Sequence, residues 1–226
     1  MGLISKSKLA EIKKIQREEK SRKKRKVKVR HEKVSFLIVC EGKCTEPNYF
    51  NSFIDNRNSK VIESKIIGKG YNTVSLIKET IKIVKKSFKE YDRIWAVFDK
   101  DDFENFNDAI KLAKKNNIYC AWSNESFELW YYLYFQYLDT GISRQEYIKK
   151  IEREIQSKTG NSSFKYKKND KDFYAILQKY GNEEQAIINA EKLQNLYHDK
   201  DYASHKPCTH VSNLVKELKN PSSLLE

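Results

Sequence analysis

A chain of 226 residues, 39% hydrophobic and 33% charged, is long enough for one well-packed domain with a helical appendage. No stretch approaches the apolar length of a membrane-spanning helix, and the basic amino terminus lacks the apolar centre of a secretory signal, which points to a cytoplasmic protein with no membrane partner. The formal charge of +13 is unevenly spread: residues 1–33 carry 14 Lys and Arg against 4 Asp and Glu, leaving 30 against 27 for the remainder.

The first 33 residues therefore read as a basic arm attached to a nearly balanced body. Lys20, Arg22, Lys23, Lys24, Arg25, Lys26, Lys28 and Arg30 form a block suited to neutralising phosphates along a nucleic-acid backbone. A solvated leader is the plain alternative. Leu9, Ile12 and Ile15 give the arm one helical stripe, too thin to anchor a helix unaided. The four cysteines, Cys40, Cys44, Cys120 and Cys208, lie apart without a CxxC pair and read as reduced thiols.

Residues 34–40 are apolar nearly throughout, as expected of a parallel strand covered on both faces. Pro47 suits the first turn of a helix with Glu46 near its cap, and Tyr49, Phe50, Phe53 and Ile54 form its apolar side. A short strand over 61–67 ends at Gly68-Lys69-Gly70, and Val74, Ile77, Ile81, Val84 and Phe88 then recur at helical spacing over 72–89. Residues 92–98 form the next strand, Asp102 is a good N-cap for a helix running to about Lys115, and 118–122 is a fourth strand. This alternation predicts a parallel-rich α/β sheet over 34–123. From 124 to 226 the pattern turns helical: an aromatic-rich segment over 127–138, then helices near 143–157, 170–180, 183–198 and 209–219, packed on the sheet as an elaboration.

Carboxylates close two of these apolar strands. Glu41 follows 34–40, with Glu46 shortly after, and Asp99, Asp101 and Asp102 follow 92–98. Charged groups are costly to desolvate, and open α/β sheets bind ligands at the carboxyl ends of their strands. Asp99 and Asp101, two residues apart, turn the same way, and Glu41 joins them if its strand is a neighbour. All-oxygen donors suit a hard ion such as Mg2+ or Mn2+. The equally weighted alternative is that Asp101 and Asp102 cap the next helix while Glu41 faces solvent. Glu128 is either a favourable helix-start carboxylate or a metal or supporting group. Ser123 and Asn124 either cap that same helix or touch a phosphate. Lys167 and Lys168, with Lys165 and Tyr166, form a basic loop that is solvated or contacts substrate. Lys43, beside Glu41, is a further candidate substrate contact. Trp130, Tyr131, Tyr134 and Phe135 are a packed core or a base-stacking surface.

The run from Phe36 to Phe50, with Glu41-Gly42-Lys43-Cys44-Thr45-Glu46-Pro47-Asn48-Tyr49-Phe50 at its centre, resembles the opening of the RloB-like family, whose "EGxxTEpxYF" segment is followed by a "DxD" cluster and an "SNpxFElW" segment. Here these are Asp99-Lys100-Asp101 and Ser123-Asn124-Glu125-Ser126-Phe127-Glu128-Leu129-Trp130, with Pro207-Cys208-Thr209-His210-Val211 similar to the closing segment. Cys44 and Glu125 depart from the commonest residues at their positions. The resemblance implies a Toprim-like fold in which Glu41, Asp99 and Asp101 bind Mg2+ and carry catalysis, with Glu46 assisting a second ion by analogy with OLD-type nucleases. It implies an anti-phage effector nuclease acting on RNA or DNA, with an ABC- or AAA-type ATPase as partner. The alternative is a non-catalytic nucleic-acid-binding or regulatory subunit. A primase or nucleotidyltransferase is disfavoured, because Gly68-Lys69-Gly70 alone makes no triphosphate loop. The aromatic-rich helical region is a candidate homo-oligomer interface.

Overall fold

The computed structural model describes residues 33–57, 62–68, 70, 72–100 and 104–224. The basic arm, Lys69, Asp101 and Asp102 lie outside these residues. Residues 33–226 form one compact unit. Five strands make a single sheet in the order β2-β1-β3-β4-β5: β1 Val34–Cys40, β2 Ile62–Gly68, β3 Arg93–Asp99, β4 Tyr119–Asn124 and β5 Cys208–Thr209. The first four are parallel and β5 pairs antiparallel with the end of β4, so the predicted α/β class holds. The sequence pattern does not reveal β5: two residues carry no periodicity, and only pairing with Ser123 and Asn124 makes them a strand.

Every residue of β1 is buried, because helices cover both faces of the sheet. Phe36, Ile38 and Cys40 join Trp95, Val97 and Ala121 beneath α1 (Thr45–Arg57), α4 (Glu128–Leu133), α5 (Arg144–Thr159), α6 (Phe173–Tyr180), α7 (Glu183–Gln194) and α8 (Val211–Lys219). Leu37 and Val39 turn the other way, onto Leu76 and Ile77 of α2 (Thr73–Lys86) and Phe106, Ala109 and Ala113 of α3 (Phe106–Lys115).

Local chemistry sets the helix ends. Asn72 caps α2 by accepting the Ser75 N–H at 3.1 Å. Ser143 and Glu146 form a reciprocal capping box on α5, which ends at Gly160 with φ 71°. The aromatic segment is helical only over Glu128–Leu133, and Trp130, Tyr131 and Tyr134 are buried. Tyr49 packs edge-on to Phe50, Phe127 and Trp130 and shares a 2.8 Å hydroxyl contact with Tyr134, so these rings are core and offer no stacking surface for bases.

The helix expected to follow Asp102 begins at Phe106, with Asn105 at its N-cap position, and Asp102 itself lies outside the described residues. One sequence expectation needs correction. Ser123 and Asn124 do not cap α4, because both are the last residues of β4. The Ser123 hydroxyl meets Thr209 Oγ1 at 2.8 Å, and Asn124 Nδ2 donates to the Ala203 carbonyl at 3.0 Å. Their polar groups hold the carboxyl-terminal segment against the sheet.

Candidate functional site

The chain leaves β1 toward β2 on one side and returns past β1 to β3 on the other. The crevice between the carboxyl ends of β1 and β3 is therefore the topological switch point, where open α/β sheets bind ligands. Glu41 and Asp99 flank it. The parallel register sets Cys40 opposite Val97, so Glu41 emerges level with Phe98, one residue before Asp99 along the neighbouring strand. The Glu41 N–H donates to the Val97 carbonyl at 2.8 Å, and Glu41 Oε2 accepts the Asp99 N–H at 3.1 Å. Two of the three expected ligands thus meet. The third, Asp101, lies outside the described residues.

The β1–α1 turn folds tightly over the end of β2. A Cβ placed on Gly68 would lie 2.6 Å from the Gly42 carbonyl oxygen and 2.8 Å from Lys43 Cα, so Gly68 serves close backbone approach. The Gly70 N–H then binds the Glu41 carbonyl at 2.6 Å. The turn sends Glu46 inward: its carboxylate lies against Gly42, the residue is 5% exposed, and among the described residues Oε2 has no hydrogen-bond partner. Burial raises the Glu46 carboxyl above its ordinary range; Lys168 and backbone N–H groups offset this in part, and the negative charge of Glu128 adds to it.

Glu128 is also buried, at the first residue of α4. Glu128 Oε1 accepts the Tyr166 hydroxyl at 3.2 Å, and Oε2 lies 3.7 Å from Arg144 Nε. Arg144 Nη2 donates to Asp99 Oδ2 at 3.0 Å, linking the deeper carboxylates to the strand-end pair. Lys168 is exposed, its carbonyl accepts the Thr45 hydroxyl at 3.1 Å, and its charge reaches Glu46. Lys43 and Lys167 are exposed, and Lys165 pairs with Glu152 at 3.1 Å. Ser123 and Asn124 are buried and engaged as described above.

Arg144 is the member that sequence reasoning missed, and Tyr166, read there only as part of the basic loop, reaches Glu128. An arginine after a capping serine and a tyrosine among lysines carry no signal of their own; 45 residues separate Arg144 from Asp99.

The donor set is all carboxylate, which suits a hard divalent cation, and the buried Glu46 Oε2 is a lone pair in want of a partner. Among the described residues, no three His, Cys, Asp or Glu side chains surround a common point closely enough to hold an ion. The residues fit such an ion chemically, with Glu41 and Asp99 as the pair already juxtaposed. A cavity of about 560 Å3 opens at the other end of the sheet, lined by Tyr91, Asp92, Arg93 and Lys114 among others. Asp92 there accepts from Ser35, and Arg93 pairs with Glu217, so its charges serve the scaffold and no carboxylates converge. Among the described residues no helix is long and apolar enough to cross a membrane.

The family model described as RloB-like protein matches residues 36–218. No curated protein and no solved structure matches the chain.

Proposed function

Since this chain belongs to the RloB-like family, we propose that it is a Mg2+- or Mn2+-dependent nuclease with a Toprim-like sheet, hydrolysing phosphodiester bonds of RNA or DNA as an anti-phage effector. The observation that carries the reading is the meeting of Glu41 and Asp99 at the switch point between β1 and β3. Glu41, Asp99 and Asp101 would hold the cation, with Glu46 and Glu128 behind them. A bound divalent cation supplies polarisation of the phosphoryl oxygen and a more acidic water. The chain's own part is to fix the carboxylates: the Asp99 N–H orients Glu41, and Arg144 orients Asp99. Lys43 and Lys168, exposed beside the crevice, attract the phosphate backbone, and the basic arm adds a salt-sensitive contribution. The helical region would carry contacts to an ATPase partner or to a second copy.

A second reading, a non-catalytic nucleic-acid-binding or regulatory subunit, is favoured by one observation: Asp99 is ion-paired with the chain's own Arg144. The two separate in a cleavage panel of tRNA, single-stranded RNA, single-stranded DNA and plasmid with Mg2+, Mn2+ or EDTA. The nuclease reading expects EDTA-sensitive cutting by the wild type that is absent from the Asp99→Asn/Asp101→Asn variant. Equal cutting by both proteins would remove the assignment of these carboxylates. Salt-sensitive binding without cutting, with or without the ATPase, would establish the second reading.

A further inference from the structure

Arg144 is anchored from behind. It opens α5 inside the Ser143–Glu146 capping box, directly after the cap residue Ser143, and its backbone N–H donates to Glu125 Oε1 at 3.3 Å, while Glu125 is itself held by Lys206. From this fixed origin the side chain crosses to the strand ends, where Nη2 meets Asp99 and Nε faces Glu128. Side-chain exposure rises outward through the group, from 3% for Glu128 to 11% for Asp99 and 33% for Arg144. The deep pairing has a structural reason: a buried carboxylate beside Glu46 needs a positive neighbour. The outer pairing puts a planar, multiply donating cation on the very carboxylate that faces the switch point.

We propose that Arg144 binds a phosphate of the nucleic-acid substrate, and that its ion pair with Asp99 holds it in reserve until a divalent cation engages that carboxylate. The proposal rests on the reading of Asp99 as a cation ligand. Glu128 keeps the guanidinium in the crevice when Asp99 turns its lone pairs to the cation, and the fork then points to where a phosphate would approach. A guanidinium suits this task because it donates two parallel hydrogen bonds to a phosphate. Without the cation, the carboxylates around the crevice repel a phosphate and Arg144 stays with Asp99.

The test uses the full chain as wild type, Arg144→Gln, Arg144→Lys and Asp99→Asn, each first shown to be folded by circular dichroism. Manganese affinity is read by electron paramagnetic resonance without nucleic acid. Binding of labelled single-stranded RNA and DNA is read by anisotropy in EDTA and in Ca2+. Arg144→Gln is expected to bind Mn2+ about tenfold more tightly than wild type, because Asp99 loses its competing cation, and to bind oligonucleotide about tenfold more weakly in Ca2+ but equally in EDTA. Arg144→Lys should keep Mn2+ affinity near wild type and lose only part of the oligonucleotide affinity. A purely structural arginine would change neither affinity in this cation-dependent way. Equal oligonucleotide binding by wild type and Arg144→Gln in Ca2+, or the same loss in EDTA, overturns the proposal while leaving the cation reading intact. Unchanged Mn2+ affinity in Asp99→Asn overturns both.

Discussion

Gly68→Ala probes how the candidate site is shaped. Gly68 ends β2 without a positive φ, so the reason for glycine there is space. An alanine Cβ would lie 2.6 Å from the Gly42 carbonyl oxygen, 2.8 Å from Lys43 Cα and 2.9 Å from Pro47 Cγ. Two of those three atoms are backbone and cannot rotate aside, so the β1–α1 turn must lift as a unit. Overpacking of this kind costs about 1–3 kcal/mol, and the rigid neighbours place it near the top of that range. The stiffer unfolded chain returns about 0.4–1 kcal/mol, leaving a net loss of about 2 kcal/mol. For a chain of this size that lowers Tm by roughly 4–8 °C. Gly70→Ala is the matched control. Its φ of 70° strains a side chain, but the close neighbour is Lys43 Cε at 2.8 Å, the far end of a flexible chain. Its net loss is about 1 kcal/mol, or roughly 2–4 °C. Thermal unfolding of both variants by circular dichroism decides the matter. If Gly68→Ala melts within a degree of wild type, or above Gly70→Ala, the close-approach argument is wrong.

Four further outcomes follow from the same structure. Tyr49→Phe removes the 2.8 Å hydroxyl contact with buried Tyr134 and should cost about 1–2 kcal/mol in urea unfolding; an unchanged midpoint would count against that bond. Ser123→Ala leaves the buried Thr209 hydroxyl without its partner at 2.8 Å and should loosen β5, read as faster amide exchange across Cys208–Thr209 at a cost of about 1 kcal/mol; unaltered exchange would contradict it. Because burial raises the Glu46 carboxyl, the folded chain holds that proton more tightly than the unfolded chain, and its contribution to stability falls as pH rises from the unfolded value through the raised one. Glu46→Gln should flatten that fall in a Tm profile from about pH 4 to 8, and a profile parallel to wild type would refute the burial argument. Deleting residues 1–32 should reduce the salt slope of nucleic-acid binding; an unchanged slope would deny the arm a role in contacting phosphates.

Much of the α/β framework was legible because burial writes itself into residue type. Val34–Cys40 could only be a strand covered on both faces, and the stripe from Val74 to Val84 could only be an amphipathic helix, although Phe88, read as part of it, lies past the Ser87 cap and is exposed. The strand-end acids were legible too, since a carboxylate directly after an apolar run is visible without coordinates. The limits came where meaning depends on a distant partner. Ser123 and Asn124 looked like caps because cap residues and buried hydroxyl or amide donors share one chemistry; Thr209 and Ala203, about 80 residues later, decide which they are.

By itself, then, the sequence determined the element order, the apolar faces and which carboxylates end strands, because these depend on neighbours within a few residues. Only the tertiary structure decided that Glu41 and Asp99 meet, that Glu46 and Glu128 are buried together, and that Arg144 bridges to Asp99. Those facts depend on strand order and on α5 packing back over the sheet. Contacts between residues 45 or more positions apart leave no local pattern, since a charged side chain reads the same whether it faces water or a partner.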